Sequence, residues 1–304
     1  INADLRVGSL EETITVSGQS PLVDVQNTTT HKAVTRQLLD DLPTGRNFVD
    51  YASLIPGVVA TTKDVGGSVG DRVPTMVIHG SVSGDMPMIF DGMRYNSVWG
   101  TGGGGSGSWV VNNGMVEEMA IDVSGAGADV EVSGVRVNNI PKQGGNTYTG
   151  AFFSSYTSGD LQSNNLDDRL RARGATSSTR TKRNWDVNPG FGGPIARNKV
   201  WFYASYRYWG NVDLPAAAYH DSNLNDFIFT PDLNRPAENP LWNKTTDGRV
   251  TWQTSSTSKL AVYGGHLDKC WCGQGASSIR SYESTNRFVT PTNQLYQATW
   301  NWTV

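Results

Sequence analysis

Residues 199–209, Lys-Val-Trp-Phe-Tyr-Ala-Ser-Tyr-Arg-Tyr-Trp, constrain the fold more than any other stretch of this chain. Val200, Phe202, Ala204, Tyr206 and Tyr208 share one parity, while Trp201, Tyr203, Ser205 and Arg207 share the other. Alternation with period two makes a strand with two unlike faces. The pattern recurs. Tyr148, Phe152 and Tyr156 share a face in 147–157, as do Trp185, Val187 and Phe191 in 183–191. In 247–254, Val250 and Trp252 oppose Arg249, Thr251 and Gln253. After a further strand at 259–269, residues 287–304 set Tyr296, Ala298, Trp300, Trp302 and Val304 against Gln297, Thr299, Asn301 and Thr303. Long loops are expected at 158–182, 211–246 and 270–286, with short turns at 192–198 and 255–257. Roughly six strands of about eight to eleven residues, joined long–short–long–short–long, match membrane β-barrels. A soluble sandwich alternates too, but its connections do not sort by length. Its core also favours Val, Leu and Ile over Trp and Tyr at strand ends.

Composition narrows the function classes. The chain has 34 Gly, only 17% charged residues, 10 Trp and 11 Tyr, as suits a β protein with polar loops and interfacial aromatics. A net charge of −3 gives no electrostatic case for nucleic acid. No run of about 18 apolar residues is present, so no transmembrane helix is expected. Ile1-Asn2-Ala3-Asp4 is polar and lacks a signal-peptide core.

Catalytic chemistry has little to stand on. His31, His79, His220 and His266 are scattered, and neither Gly-x-Ser-x-Gly nor His-Glu-x-x-His occurs. Asp167 and Asp168 adjoin Arg169 and Arg171 and read as a solvated charge cluster. The expectation is a non-enzyme without a cofactor. His266, Cys270 and Cys272 share strand parity and form a weak candidate for Zn or Cu(I). A local disulfide and two free thiols are equally compatible with that spacing.

The front of the chain follows another grammar. Leu38, Leu39 and Leu42 predict a short helix over 35–42, ended by Pro43. Phe48, Tyr51, Ala52 and Ile55 predict a second over 46–55, stopped by Pro56-Gly57. Residues 75–80, 88–92 and 116–123 read as strands, with Asp91-Gly92 a good turn former. Residues 66–70 and the Gly-rich stretch between Trp99 and Trp109 read as loops. The latter is no phosphate loop, because no Gly-Lys-Ser/Thr follows it.

Residues 134–146, Gly-Val-Arg-Val-Asn-Asn-Ile-Pro-Lys-Gln-Gly-Gly-Asn, lie where the two grammars meet. An apolar-Asn pair, then Lys-x-Gly-Gly-Asn running into an aromatic strand, resembles the plug end of TonB-dependent outer-membrane receptors, and most of all their Oar-like branch. Leu42-Pro43, Pro56-Gly57-Val58, Ile78-His79-Gly80, Asp91-Gly92 and Val116-Glu117-Glu118 also resemble that plug. Pro141 stands where Thr is usual, His79 where Arg is typical, and residues 129–133 keep only the acid character of the family segment.

The resemblance implies a mainly β fold: an α+β plug within the N-terminal part of a transmembrane antiparallel barrel, about six of 22 strands being present. It implies an extended segment at 1–18, a plug at 19–146 and barrel strands at 147–304. Glu12, Thr13, Ile14, Thr15 and Val16 are similar to the TonB box, which pairs edge-on with the energy-coupling protein TonB; an ordinary first plug strand is the plainer reading. Plug apices in the family touch substrate, which here points to Ser81, Ser83, Asp85, Arg94, Tyr95, Asn96 and Trp99. Packing of the plug against the wall is the structural alternative. The expected partners are TonB, outer-membrane lipid, a transported ligand, and other barrel segments or subunits. The expected location is the outer membrane, with the plug open to the periplasm and the long loops outside. The ligand would be an iron chelate, cobalamin, an oligosaccharide or a peptide. A glycan-binding surface protein and a structural barrel without transport are the rival readings.

Overall fold

The computed structural model describes residues 30–42, 44, 46, 48–60, 75–82, 84–96, 109–124 and 134–303. The expected box at 12–16, the loop at 66–70 and the Gly-rich stretch between Trp99 and Trp109 lie outside the described residues.

The front part is a small mixed unit. Strand β1 (Thr30–Thr35) leads into helix α1 (Arg36–Asp41). Thr35 caps the helix by accepting from the Leu38 N–H at 3.5 Å, and Leu39 is its buried anchor. The second predicted helix is a 3-10 helix, Phe48–Leu54. Short strands β2 (Val58–Ala60) and β3 (Met76–Ile78) pair with each other. Strands β4 (Met88–Phe90) and β5 (Met93–Arg94) form a hairpin around Asp91 and Gly92, at φ 48° and 83°. Positive φ at both positions is the turn geometry that matches strand twist. A 3-10 turn, Asn113–Met115, precedes β6 (Val116–Ser124). Strand β7 (Arg136–Pro141) completes a five-stranded sheet in the order β1-β6-β7-β4-β5. The core beneath it includes Val34, Leu39, Tyr51, Met76, Met119 and Val137. Its polar margin is anchored by Arg36, which donates to Asn113 O, Val116 O and the Asp40 carboxylate. That hydrogen bond, with the guanidinium charge, holds the Asp40 carboxyl below its ordinary value.

The rest is built on one six-stranded antiparallel sheet. Strands β8 (Thr149–Ser158), β9 (Arg180–Ala196) and β10 (Val200–Leu214) follow in order, with a short helix α2 (Asp168–Ala172) between β8 and β9. A small hairpin, β11 (Tyr219–Asp221) and β12 (Pro231–Pro236), precedes β13 (Asn239–Gln253), β14 (Ser258–Gln274) and β15 (Asn286–Trp302). The order β15-β14-β13-β10-β9-β8 leaves β8 and β15 as free edges, so this barrel is partial and not closed.

The strands are longer than the sequence pattern predicted. Residues 239–246, expected in a loop, belong to β13, and Cys270 and Cys272 lie within β14. The inward face there is polar, so apolar alternation under-reports the strand. Gly192-Gly193-Pro194, expected as a turn, continues β9; the turn falls at 197–199 with Asn198 at φ 59°. The two faces sort as expected. Tyr203, Ser205, Arg207 and Trp209 are buried, whereas Phe152, Phe191, Val262 and Trp300 are exposed on the opposite face. No helix among the described residues is long and apolar enough to cross a membrane.

Candidate functional site

Among the described residues, the plug meets the inward face of the large sheet at an apolar cluster and at several polar contacts. The apolar contact joins Phe90, Trp109 and Met115 of the plug to Tyr203, Tyr263 and Leu267 of the wall. Phe90 and Tyr263 have ring centroids 4.5 Å apart. Such pairs add about 0.5–1.5 kcal/mol beyond area burial.

The first polar contact is made by the β4–β5 turn. The Asp91 carboxylate meets Arg249 Nη1 at 2.7 Å and accepts from Thr299 Oγ1 at 3.3 Å, while Asp91 O accepts from Gln297 Nε2 at 3.0 Å. The second is centred on Asn112. Its amide donates to Ser205 Oγ at 3.1 Å and Asp247 Oδ2 at 3.3 Å, and its oxygen accepts from Asn188 Nδ2 at 2.9 Å. Tyr263 completes the Asp247 shell by donating its hydroxyl at 2.6 Å.

The Lys-x-Gly-Gly-Asn stretch joins plug to wall by specific contacts. Lys142 Nζ donates to Tyr203 OH at 3.2 Å, and that hydroxyl donates to Gly114 O at 3.1 Å. Burial, with the Arg36 charge nearby, pulls the Lys142 ammonium pKa below its usual value. Gly144 has φ 76°, and a Cβ there would stand 2.3 Å from Phe202 O. Asn146 Oδ1 accepts from Asn198 N–H and Trp201 Nε1, each at 2.8 Å, which ties the plug's end to the β9–β10 turn.

The apex residues singled out from sequence fall into two neighbouring loops. Ser81 Oγ accepts from Ile78 N–H at 3.1 Å, and Asp85 is half-buried beside Gly134, where a Cβ would meet Asp85 O at 1.7 Å. In the second loop Arg94 is exposed and donates to Asn96 Oδ1 at 3.1 Å. Asn96 also accepts from Met88 N–H at 2.8 Å and donates to Met86 O at 3.0 Å, so its amide stitches the second loop to the end of the first. Tyr95 packs into both apolar clusters, and burial raises its phenol pKa. Ser83 and Trp99 lie outside the described residues.

Two chemical readings of the sequence are settled differently. Cys270 and Cys272 are disulfide-bonded with Cα atoms 5.5 Å apart, and His266 Nε2 contacts Asp268 Oδ1 at 3.0 Å. The sulfurs are therefore not thiolate ligands, and no metal-binding group of His, Cys, Asp and Glu occurs among the described residues. Asp167 is a helix cap, accepting from Leu170 N–H at 2.8 Å. Sequence reasoning missed the Asp91–Arg249 and Asn112–Asp247 contacts. Arg249 and the Asp91-Gly92 turn were each visible, but nothing local links residues so far apart.

Comparison with known proteins places this geometry. No protein-family model matches the chain. The TonB-dependent transporter Oar of Myxococcus xanthus is 25% identical over 216 residues, covering 68% of this chain and 19% of that protein. The chain thus spans about a fifth of that relative's length. Among solved structures, the ferric enterobactin receptor PfeA of Pseudomonas aeruginosa matches with a TM-score of 0.57 and 17% identity, over 89% of this chain and 38% of that one. The outer-membrane transporter YddB of Escherichia coli matches at 0.56 and 16%, over 79% and 33%. The RagAB peptide importer matches at 0.52 and 13%, over 82% and 32%. At these identities the structures speak to fold alone. These proteins are receptors and transporters, not enzymes. In sequence the chain is similar to a TonB-dependent transporter, and in fold to the plug-side part of TonB-dependent outer-membrane receptors.

Proposed function

We propose that the protein is a TonB-coupled importer of the outer membrane that takes up a bulky polar ligand from outside the cell. The observation that carries this reading is a folded plug, held to the inward wall at Asp91 and Asn112 and continuous with the first strand through Lys142–Gly144–Asn146. A wall contact made of separable polar pairs suits a plug that must move. In this reading residues 1–18 are the coupling segment, 19–146 the plug and 147–304 the barrel strands. The connections after β8, β10 and β14 face outward, and the turns at 197–199 and 254–257 face the periplasm.

Glu12 to Val16 would add a strand to TonB. The residues read from sequence as the plug apex, Ser81, Ser83, Asp85, Arg94, Tyr95, Asn96 and Trp99, would meet the ligand, with Arg94 exposed beside Asn96. One relative is named for ferric enterobactin and another as a peptide importer, which fits a large ligand rich in hydrogen-bonding groups.

The test is energy-dependent accumulation by intact cells. Ile14→Pro removes a main-chain donor and is expected to abolish accumulation while surface binding persists. Accumulation that continues in this variant would remove 12–16 as the coupling segment. Loss of affinity in Trp99→Ala, with surface abundance unchanged, would support the apex as the ligand site.

A further inference from the structure

Every inward side chain of β13 from residue 243 to 251 is polar: Asn243, Thr245, Asp247, Arg249 and Thr251, each no more than 4% exposed. They repeat at every second residue, a spacing of about 7 Å. Among the described residues the plug grips the middle of this row, Asn112 holding Asp247 and Asp91 holding Arg249. On either side of the grip the row has unmet bonding capacity. Both amide atoms of Asn243 and the Thr251 hydroxyl have no hydrogen-bond partner among the described residues. Buried polar atoms are nearly always paired, so unpaired ones need a reason. Packing gives none here, since Leu and Val would fill the same sites. On the neighbouring strands, Asn243 lies opposite Trp209 of β10 and Lys269 of β14.

We propose that this face of β13 is a guide rail for cargo, covered by the plug at rest and uncovered as the plug moves. The inference rests on the importer reading and extends it. The two charged rungs, Asp247 and Arg249, are adjacent and opposite in sign, and the nearby Arg207 and Asp186 neutralise each other at 2.7 Å. The five rungs of β13 therefore offer both donors and acceptors with no net formal charge among them. The chemistry it fits is a neutral chain rich in hydroxyl or amide groups, exchanging one hydrogen bond for the next as it passes.

The test uses the full-length receptor in planar bilayers, with urea to loosen the plug and maltohexaose as the probe. Each sugar entering the open pore interrupts the current, and the length of the interruption reports its contact with the wall. Asn243→Leu with Thr251→Val is expected to shorten the interruptions about tenfold, as two lost hydrogen bonds would. The same variant is expected to melt at or above the wild-type temperature, because neither group has a partner among the described residues. A purely structural role for these residues predicts a lower melting temperature and unchanged interruptions, which would overturn the rail. Thr251→Val alone, nearly isosteric, keeps the comparison where the double variant fails to assemble, with a smaller shortening expected. If urea opens no conductance in the wild-type receptor, the plug-gated reading fails and the rail with it. Open conductance with equal interruptions in wild type and variants overturns the rail only.

Discussion

Asp91 at the tip of a plug hairpin and Arg249 in the middle of a wall strand stand 2.7 Å apart, with the arginine side chain 3% exposed. Removing one partner leaves the other uncompensated. Asp91→Ala is expected to destabilise the folded receptor by about 3 kcal/mol. Replacing both, as Asp91→Ala with Arg249→Met, is expected to restore most of that. Thermal unfolding followed by electrophoretic mobility in detergent checks it. Equal stability of Asp91→Ala and wild type would show that the pair does not hold the plug.

The outward face gives a second expectation. Val262 lies mid-strand in β14 on the exposed side. Val262→Arg is expected to cost about 2–4 kcal/mol in the bilayer and to lower the amount of assembled receptor. Val262→Leu is expected to be neutral. Membrane fractionation measures both. Matching levels of assembly in the two variants would contradict a lipid-facing surface here.

Gly144 gives a third. Its φ of 76° and the nearby Phe202 carbonyl together exclude a side chain. Gly144→Ala is expected to cost at least 1–2 kcal/mol, roughly the left-handed backbone penalty before any clash. The readout is protease sensitivity of the plug in detergent-solubilised receptor, rising in the variant. Asn146→Ala, which loses the bonds to Asn198 and Trp201, is expected to act in the same direction.

The long connections give a pH expectation. Glu283 accepts from His220 Nδ1 at 2.6 Å and from Asp221 N–H at 3.0 Å, joining the loop after β14 to the hairpin after β10. Burial alone would raise its carboxyl pKa, but these donors outweigh burial and hold it below the ordinary value of 4.5. A depressed acid stabilises the folded form above its unfolded pKa and loses that contribution as pH falls through the folded pKa. The joint is therefore expected to be intact at neutral pH and to loosen in acid, as pH falls through the depressed folded pKa. Hydrogen exchange at 219–221 measured across that range checks the sign; Glu283→Gln should exchange quickly at every pH.

Much of the architecture was legible because its signals are local. The face assignments of β10, β13 and β15 follow from period-two alternation, and α1 from three leucines and a following proline. What failed was also physical. The start of β13 was read as a loop, since Asn243 and Thr245 are polar and buried where a soluble core would be apolar, and the end of β14 was read as a loop from Cys270 onward. The site was harder. Lys142, Gly144 and Asn146 stood out as a motif, but their partners Tyr203, Phe202 and Trp201 belong to the next hairpin. Asp91 and Arg249 meet only because the whole sheet curves past the plug.

The place of β7 in the plug sheet bears on the order of folding. It lies between β6 and β4, runs parallel to β4, and is the last plug strand to be made. The β4–β5 hairpin can form early, but it cannot join β1 and β6 until β7 has arrived. Five residues beyond β7 the chain is already committed to the β9–β10 turn through Asn146. Such non-local pairing is slow. A nascent plug therefore stays in two pieces until the segment entering the membrane has emerged, so completing the gate and beginning its frame become one kinetic event.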